Sequence, residues 1–87
     1  MNQNIVASAN LYGKIDLETA ADIMDNVMYE PEQFPGLIYR MPTPKVVMLL
    51  FASGKLVCTG AKHEDMVKEA VDKLHVLLKD YELIYYE

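Results

Sequence analysis

KVVMLLF, Lys45 to Phe51, is a strand by residue type and length, yet it is apolar on both faces. Alternation sends Val47, Leu49 and Phe51 one way and Val46, Met48 and Leu50 the other. Ser53-Gly54 turns the chain, and KLVCTG (Lys55–Gly60) returns as the hairpin partner. There Lys55, Val57 and Thr59 share a face, opposite Leu56 and Cys58. A sheet built on this hairpin therefore needs cover on one side and leaves apolar surface on the other, unless two layers enclose it.

The remaining pattern supplies only one layer. Asn4 to Leu11 alternates loosely as a strand, with Asn4, Val6 and Ser8 opposing Ile5, Ala7 and Ala9. Asp16 is an N-cap candidate for a helix from Leu17 to about Met28, where Leu17, Ala20, Ala21, Met24, Val27 and Met28 form a stripe. A strand follows at Leu37–Met41, then a Pro42–Pro44 breaker before the hairpin. His63 to Lys79 carries the clearest helical stripe, Met66, Val67, Ala70, Val71, Leu74, Leu77 and Leu78. Glu64–Lys68 and Glu69–Lys73 are spaced to pair on its outer face. ELIYYE, Glu82–Glu87, closes as a strand. The order β-α-β-β-β-α-β predicts an α+β domain: a five-stranded antiparallel sheet with two helices on one face, spanning residues 1–87. Two helices cover one face. The other exposes Val6, Leu49, Phe51 and Val57, framed by Asn4, Thr59 and Lys55, and such a face is either a binding surface or one buried in an oligomer.

Eighty-seven residues with 52% hydrophobic content suit one small folded domain. No apolar run is long enough to span a bilayer and no signal peptide is visible, so no membrane partner is expected. The lone Cys58 excludes an internal disulfide, fits a reducing compartment, and falls on the helix side of its strand as inert core. His63 stands at a helix-cap position and His75 beside the apolar stripe, neither with a partner at metal-ligand spacing. No nucleophile–base constellation, phosphate loop or carboxylate pair is present, so no catalytic residue, metal or cofactor is expected.

A net charge of −5 argues at first against a polyanionic partner. The distribution argues for one. From Gly36 to Gly60 there is no acid, while Arg40, Lys45 and Lys55 lie inside that window. All thirteen acids lie outside it, so one face can be basic on an acidic body. YEPEQFPGLIYR, Tyr29 to Arg40, adds a further anomaly: Pro35 and Gly36 turn the chain and leave Phe34 at a loop tip, where burial gains little.

Three stretches, YEPEQFPGLIYRM (Tyr29–Met41), PKVVMLLFASGKLVCTGAK (Pro44–Lys62) and QNIVASANL (Gln3–Leu11), resemble one repeat of the TATA-box-binding protein family in its archaeal form. Members of that family carry two such repeats in tandem, forming a saddle on the DNA minor groove; this chain has one. The resemblance implies a curved sheet with its helices on the convex side, and a role for each matching position. Phe34 and Phe51, with Pro35 beside them, match the phenylalanines that wedge into a base step. Asn4 and Thr59 match minor-groove hydrogen-bonding residues, and Val6, Leu49 and Val57 match apolar residues that pack on base edges and sugars. Arg40, Lys45, Ser53 and Lys55 match phosphate-contacting positions. Glu30 and Glu32 match the loop that binds transcription factor B.

By the same resemblance the partner is double-stranded A·T-rich promoter DNA, in the cytoplasm of an archaeon, or in the nucleus if the source is eukaryotic; because one repeat is half a saddle with an open sheet edge, a homodimer is expected. The chemistry agrees, because the minor groove distinguishes A·T from G·C by the guanine amino group, which an apolar face leaves unpaired. Bending by inserted side chains is described for the TATA-binding protein itself, so that step comes from the resemblance and not from these residues. Two alternatives stay open: a protein-interaction module of the same fold, and one half of a two-repeat protein.

Overall fold

The structure, a computed structural model, describes residues 4–86. Along the chain come β1 (Ile5–Asn10), β2 (Lys14–Ile15), α1 (Leu17–Ile23), β3 (Val27–Tyr29), β4 (Leu37–Met41), β5 (Val46–Leu50), β6 (Lys55–Ala61), α2 (Glu64–Asp80) and β7 (Ile84–Tyr85). The main sheet is five-stranded and antiparallel, in the order β1-β6-β5-β4-β3; β2 and β7 form a separate two-stranded sheet. Gln3 and Glu87, which the sequence places in the first motif and the last strand, lie outside the described residues.

Burial alternates along the strands as the two-faced hairpin demands. Leu37, Tyr39 and Met41 on β4, Val46, Met48 and Leu50 on β5, and Leu56 and Cys58 on β6 are buried. They join one core with Ala70, Leu74 and Leu78 of α2 and with Leu17, Ala20 and Met24 in and beside α1. Each fully buried leucine in this layer stabilises the fold by about 1.5–3 kcal/mol relative to exposure. Both helices thus serve one face, as the stripe count predicts. Burial also raises the Cys58 thiol pKa, which keeps the group protonated and inert where the sequence puts it.

Two elements differ from expectation. The first helix stops at Ile23, and Val27 to Tyr29 is instead the edge strand β3. Met24, the C-cap, is already extended (φ −88°, ψ 146°); Asn26 then turns the chain through the left-handed region (φ 61°), a conformation that asparagine tolerates, and the β-branched Val27 and aromatic Tyr29 suit a strand. The apparent stripe through Val27 and Met28 was an accident of spacing: Val27 pairs opposite Tyr39 and Met28 opposite Ile38. The final strand exists but leaves the main sheet, because Ile84 and Tyr85 pair with Ile15 and Lys14. The fifth strand of the sheet is therefore β3 and not the C-terminal segment.

Among the described residues the only ion pair is Lys73–Glu69 at 3.9 Å, so the spacing of Glu64 and Lys68 does not produce a second. Lys73 Nζ also donates to the Thr43 carbonyl at 3.0 Å, tying α2 to the β4–β5 turn. At the other end of α2's packing, His75 Nε2 lies 3.0 Å from Tyr86 Oη.

Asp16 caps α1 as the sequence predicts. Its carboxylate accepts from the Thr19 hydroxyl at 2.7 Å and the Thr19 amide at 3.1 Å. Both bonds favour the ionised form and lower its pKa below 3.8, the hydroxyl bond most. A carboxylate lowered in the folded state contributes stability above its unfolded pKa and loses it as pH falls through the folded value. Acidification below about pH 4 is thus expected to fray the start of α1 before the sheet opens. An amide titration should show the Thr19 resonance moving ahead of those in β5, and a Thr19 amide indifferent to acid would contradict the cap.

Candidate nucleic-acid interface

The face of the sheet without helices is organised by register. Met28 of β3 lies opposite Ile38, Ile38 opposite Leu49, Leu49 opposite Val57, and Val57 opposite Ser8 of β1. One cross-strand row therefore runs over all five strands, apolar except at the β1 end. A second row sets Arg40 opposite Val47 and Val47 opposite Thr59. Val6 is 68% exposed, whereas Leu49, Val57 and Thr59 are half-buried by their neighbours. Asn4 is exposed immediately before β1.

A bulge keeps this face in phase. Between Ile5 and Ala7 of β1, the opposing positions jump from Ala61 to Cys58, so β6 carries one extra residue. The extra residue falls beside Gly60, whose φ of 84° suits a bulge, and Ala61 returns fully buried to the core side. Without the bulge, alternation would place Ala61 on the open face beside Thr59. The Thr59 hydroxyl meets only a long contact, donating to the Val47 carbonyl at 3.5 Å, so little holds it from another acceptor.

The aromatic end is built from two segments. A turn in which the Glu30 carbonyl accepts from the amides of Gln33 and Phe34, both at 2.9 Å, carries Phe34 to the mouth of the sheet. Phe51 arrives at the end of β5, held by its amide bond to the Lys55 carbonyl at 3.0 Å. The two rings meet edge to face, with centroids 5.8 Å apart and planes at 67°. Both are half-buried, and Pro35 beside them is exposed. The Glu30 and Glu32 carboxylates project from the same loop into solvent.

Cations stand at both strand ends of this face. Ser53 and Lys55, in and after the hairpin turn, line a shallow depression with Phe51, Val57, Asn10 and Tyr12. Arg40 and Lys45 line a second depression with Asn26, Lys62 and Val47. No acid lines either, and none of these cations is ion-paired among the described residues. The acid-free window in the sequence thus becomes an acid-free surface, and desolvating its cations against a polyanion breaks no existing pair.

A model of the family described as "Transcription factor TFIID (or TATA-binding protein, TBP)" matches residues 2–81. The chain belongs to the TATA-binding protein family. It is 62% identical over 85 residues to the TATA-box-binding protein of Pyrobaculum islandicum, covering 98% of this chain and 43% of that protein. It is 64% identical over 72 residues to that of Sulfolobus acidocaldarius, covering 83% and 36%. The solved TBP of Methanococcus jannaschii superposes with a TM-score of 0.87 at 47% identity, over 90% of this chain and 46% of that one. The chain therefore spans less than half the length of the TATA-binding proteins it matches, as a single repeat.

Sequence reasoning on alternation missed two members of the open face. Met28 was hidden by the false helical stripe; Ile38 was assigned to no face, although its position between Leu37 and Tyr39 is readable by alternation. Ser8 was placed on the correct side but given no role. Lys62 and Asn26 join Arg40 and Lys45 only through folding, since Lys62 follows β6 and Asn26 precedes β3.

Proposed function

We propose that this chain binds A·T-rich duplex DNA in the minor groove as half of a saddle, bending it with Phe34 and Phe51, and that two copies complete the saddle. The observation that carries the reading is the apolar cross-strand row from Met28 to Val57, with an aromatic pair at one strand end of the face and unpaired cations at both. Val6, Leu49 and Val57 pack on base edges and sugars, where a guanine amine would be buried without a partner. Asn4 and Thr59 serve the adenine N3 and thymine O2 acceptors. Arg40, Lys45, Ser53 and Lys55 hold phosphates, and Glu30 and Glu32 receive transcription factor B in an archaeal cytoplasm. No catalysis is part of this reading.

The second copy is proposed from the edges of the sheet. β3 is a three-residue edge, whereas β1 offers six residues. Leu11 donates to the Gly54 carbonyl of the β6 side, so alternation turns the amides and carbonyls of Val6 and Ser8 outward, unpaired. An edge of that length invites a strand, and a two-fold copy would continue the open face. The coverage of the relatives supports a second repeat in the same polypeptide on the same ground, and mass distinguishes the two.

Protection from cleavage on an A·T-rich duplex, beside a G·C control, tests the DNA reading; equal protection of both would refute it. Light scattering at micromolar concentration, with and without DNA, is expected to give twice the mass of this chain in at least one state. A monomer in both would remove the homodimer and leave the groove reading standing.

A further inference from the structure

Gly36 lies between the aromatic rings and the start of β4, and it is buried. Its φ is outside the left-handed region, so its backbone asks for no glycine. The space around it does. A Cβ at this position would stand 2.8 Å from Cε2 of Phe34, 3.0 Å from Cε1 of Phe51 and 3.1 Å from the Leu50 carbonyl oxygen. Both rings therefore rest on a backbone bare of side chain, one arriving from the loop and the other from the end of β5.

The geometry points to Gly36 as the positioning residue of the aromatic pair: the missing side chain is the seat that holds Phe34 against Phe51 before DNA is met. This rests on the wedge reading of the two phenylalanines. A ring already held edge to face loses little freedom on insertion, so less of the binding free energy goes into ordering it. A methyl group in the seat has two flexible neighbours to displace, the rings, and one that cannot yield without moving β5, the Leu50 carbonyl. The rings give way first. The pair then opens or tilts, and the wedge meets the base step from the wrong direction.

The test is a double-mutant cycle between Gly36→Ala and Phe34→Ala, read by energy transfer between dyes at the ends of a short A·T-rich duplex and by the salt dependence of binding. Gly36→Ala alone is expected to reduce bending at saturation and weaken binding about tenfold, equivalent to ~1.4 kcal/mol, with the salt slope unchanged. In the Phe34→Ala background the same substitution is expected to remove much less further bending, because the nearer of the two rings, Phe34, is absent and Phe51 has room to yield into the space it leaves. Thermal unfolding of all four proteins guards against a folding defect, and proton shifts of the two rings in the free protein must change with Gly36→Ala. Full bending by Gly36→Ala, or an equal loss in both backgrounds, overturns the positioning role for Phe34; the second result would assign the effect to the neighbours present in both, Phe51 and the Leu50 carbonyl. If Phe34→Ala itself bends DNA as fully as the parent, the wedge reading falls and the role of Gly36 falls with it. If Phe34→Ala fails to bend while Gly36→Ala bends fully, only the positioning role falls.

Discussion

Phe34→Ala is expected to bind A·T-rich duplex ten- to a hundredfold more weakly and to bend it less at saturation, with the salt slope unaltered. An aromatic side chain stacked on a base is worth about 1–3 kcal/mol by truncation, and none of that involves counterions. Lys55→Ala and Arg40→Ala are expected to do the reverse. Each lost phosphate contact should flatten the plot of log affinity against log salt by about 0.9, on every duplex alike. Phe34 also supplies half of the edge-to-face contact with Phe51, a pair worth ~0.5–1.5 kcal/mol beyond its burial. A loss of a few degrees in Tm should therefore accompany the binding defect, too small to unfold the chain at assay temperature. A Phe34→Ala protein with a flattened salt slope and full bending would show a charge-mediated contact in place of a wedge.

Gly54→Ala is expected to be the most damaging single methyl in the chain. Gly54 sits at φ 97°, and a Cβ there would lie 2.3 Å from the Gly13 carbonyl oxygen and 3.0 Å from the Gly13 nitrogen. The positive φ costs an L-residue about 1–2 kcal/mol. The collision is with backbone, which cannot swing aside as a side chain would, and overpacking of that kind costs about 1–3 kcal/mol more. The sum, ~2–5 kcal/mol, is a large share of the stability of a domain this size. Gly60→Ala is the control: its φ of 84° carries a similar strain, but its nearest neighbour is the Val46 Cα at 4.0 Å. Denaturant midpoints should fall much further for Gly54→Ala than for Gly60→Ala. Equal shifts would mean that the loop at Gly13 moves aside freely. Ser53 and Lys55 flank Gly54, so DNA affinity should fall with the midpoint wherever the folded population remains high.

Much of the main sheet was readable because its signals are local. KVVMLLF, the Ser53-Gly54 turn and KLVCTG occupy neighbouring positions along the chain, and their alternation names the buried residues without reference to anything else. The α2 stripe is equally local, and its inward Ala70, Leu74 and Leu78 follow from helical spacing. β3 failed for the converse reason. Three residues carry too little periodicity to outweigh the helix pattern preceding them, and only pairing with β4 makes Val27 to Tyr29 a strand. The C-terminal strand was recognised as extended, but its choice of β2 over the main sheet depends on where α2 delivers the chain.

By itself, then, the sequence determined an α+β unit with one helical layer, an apolar second face, an acid-free window around it, and membership in the TATA-binding protein family. Alternation, helical spacing and turn chemistry act over a few residues and need no partner, which is why the layers and faces were legible; the family was legible through the resemblance of three stretches to its repeat. Folding alone decided that Met28, Ile38, Leu49 and Val57 form one row, that the bulge beside Gly60 returns Ala61 to the core, that Lys62 joins Arg40, and that Gly36 seats Phe34 against Phe51. Those facts concern register and close approach between segments distant in the chain. Packing of the whole layer selects them, and no local preference of the residues encodes it.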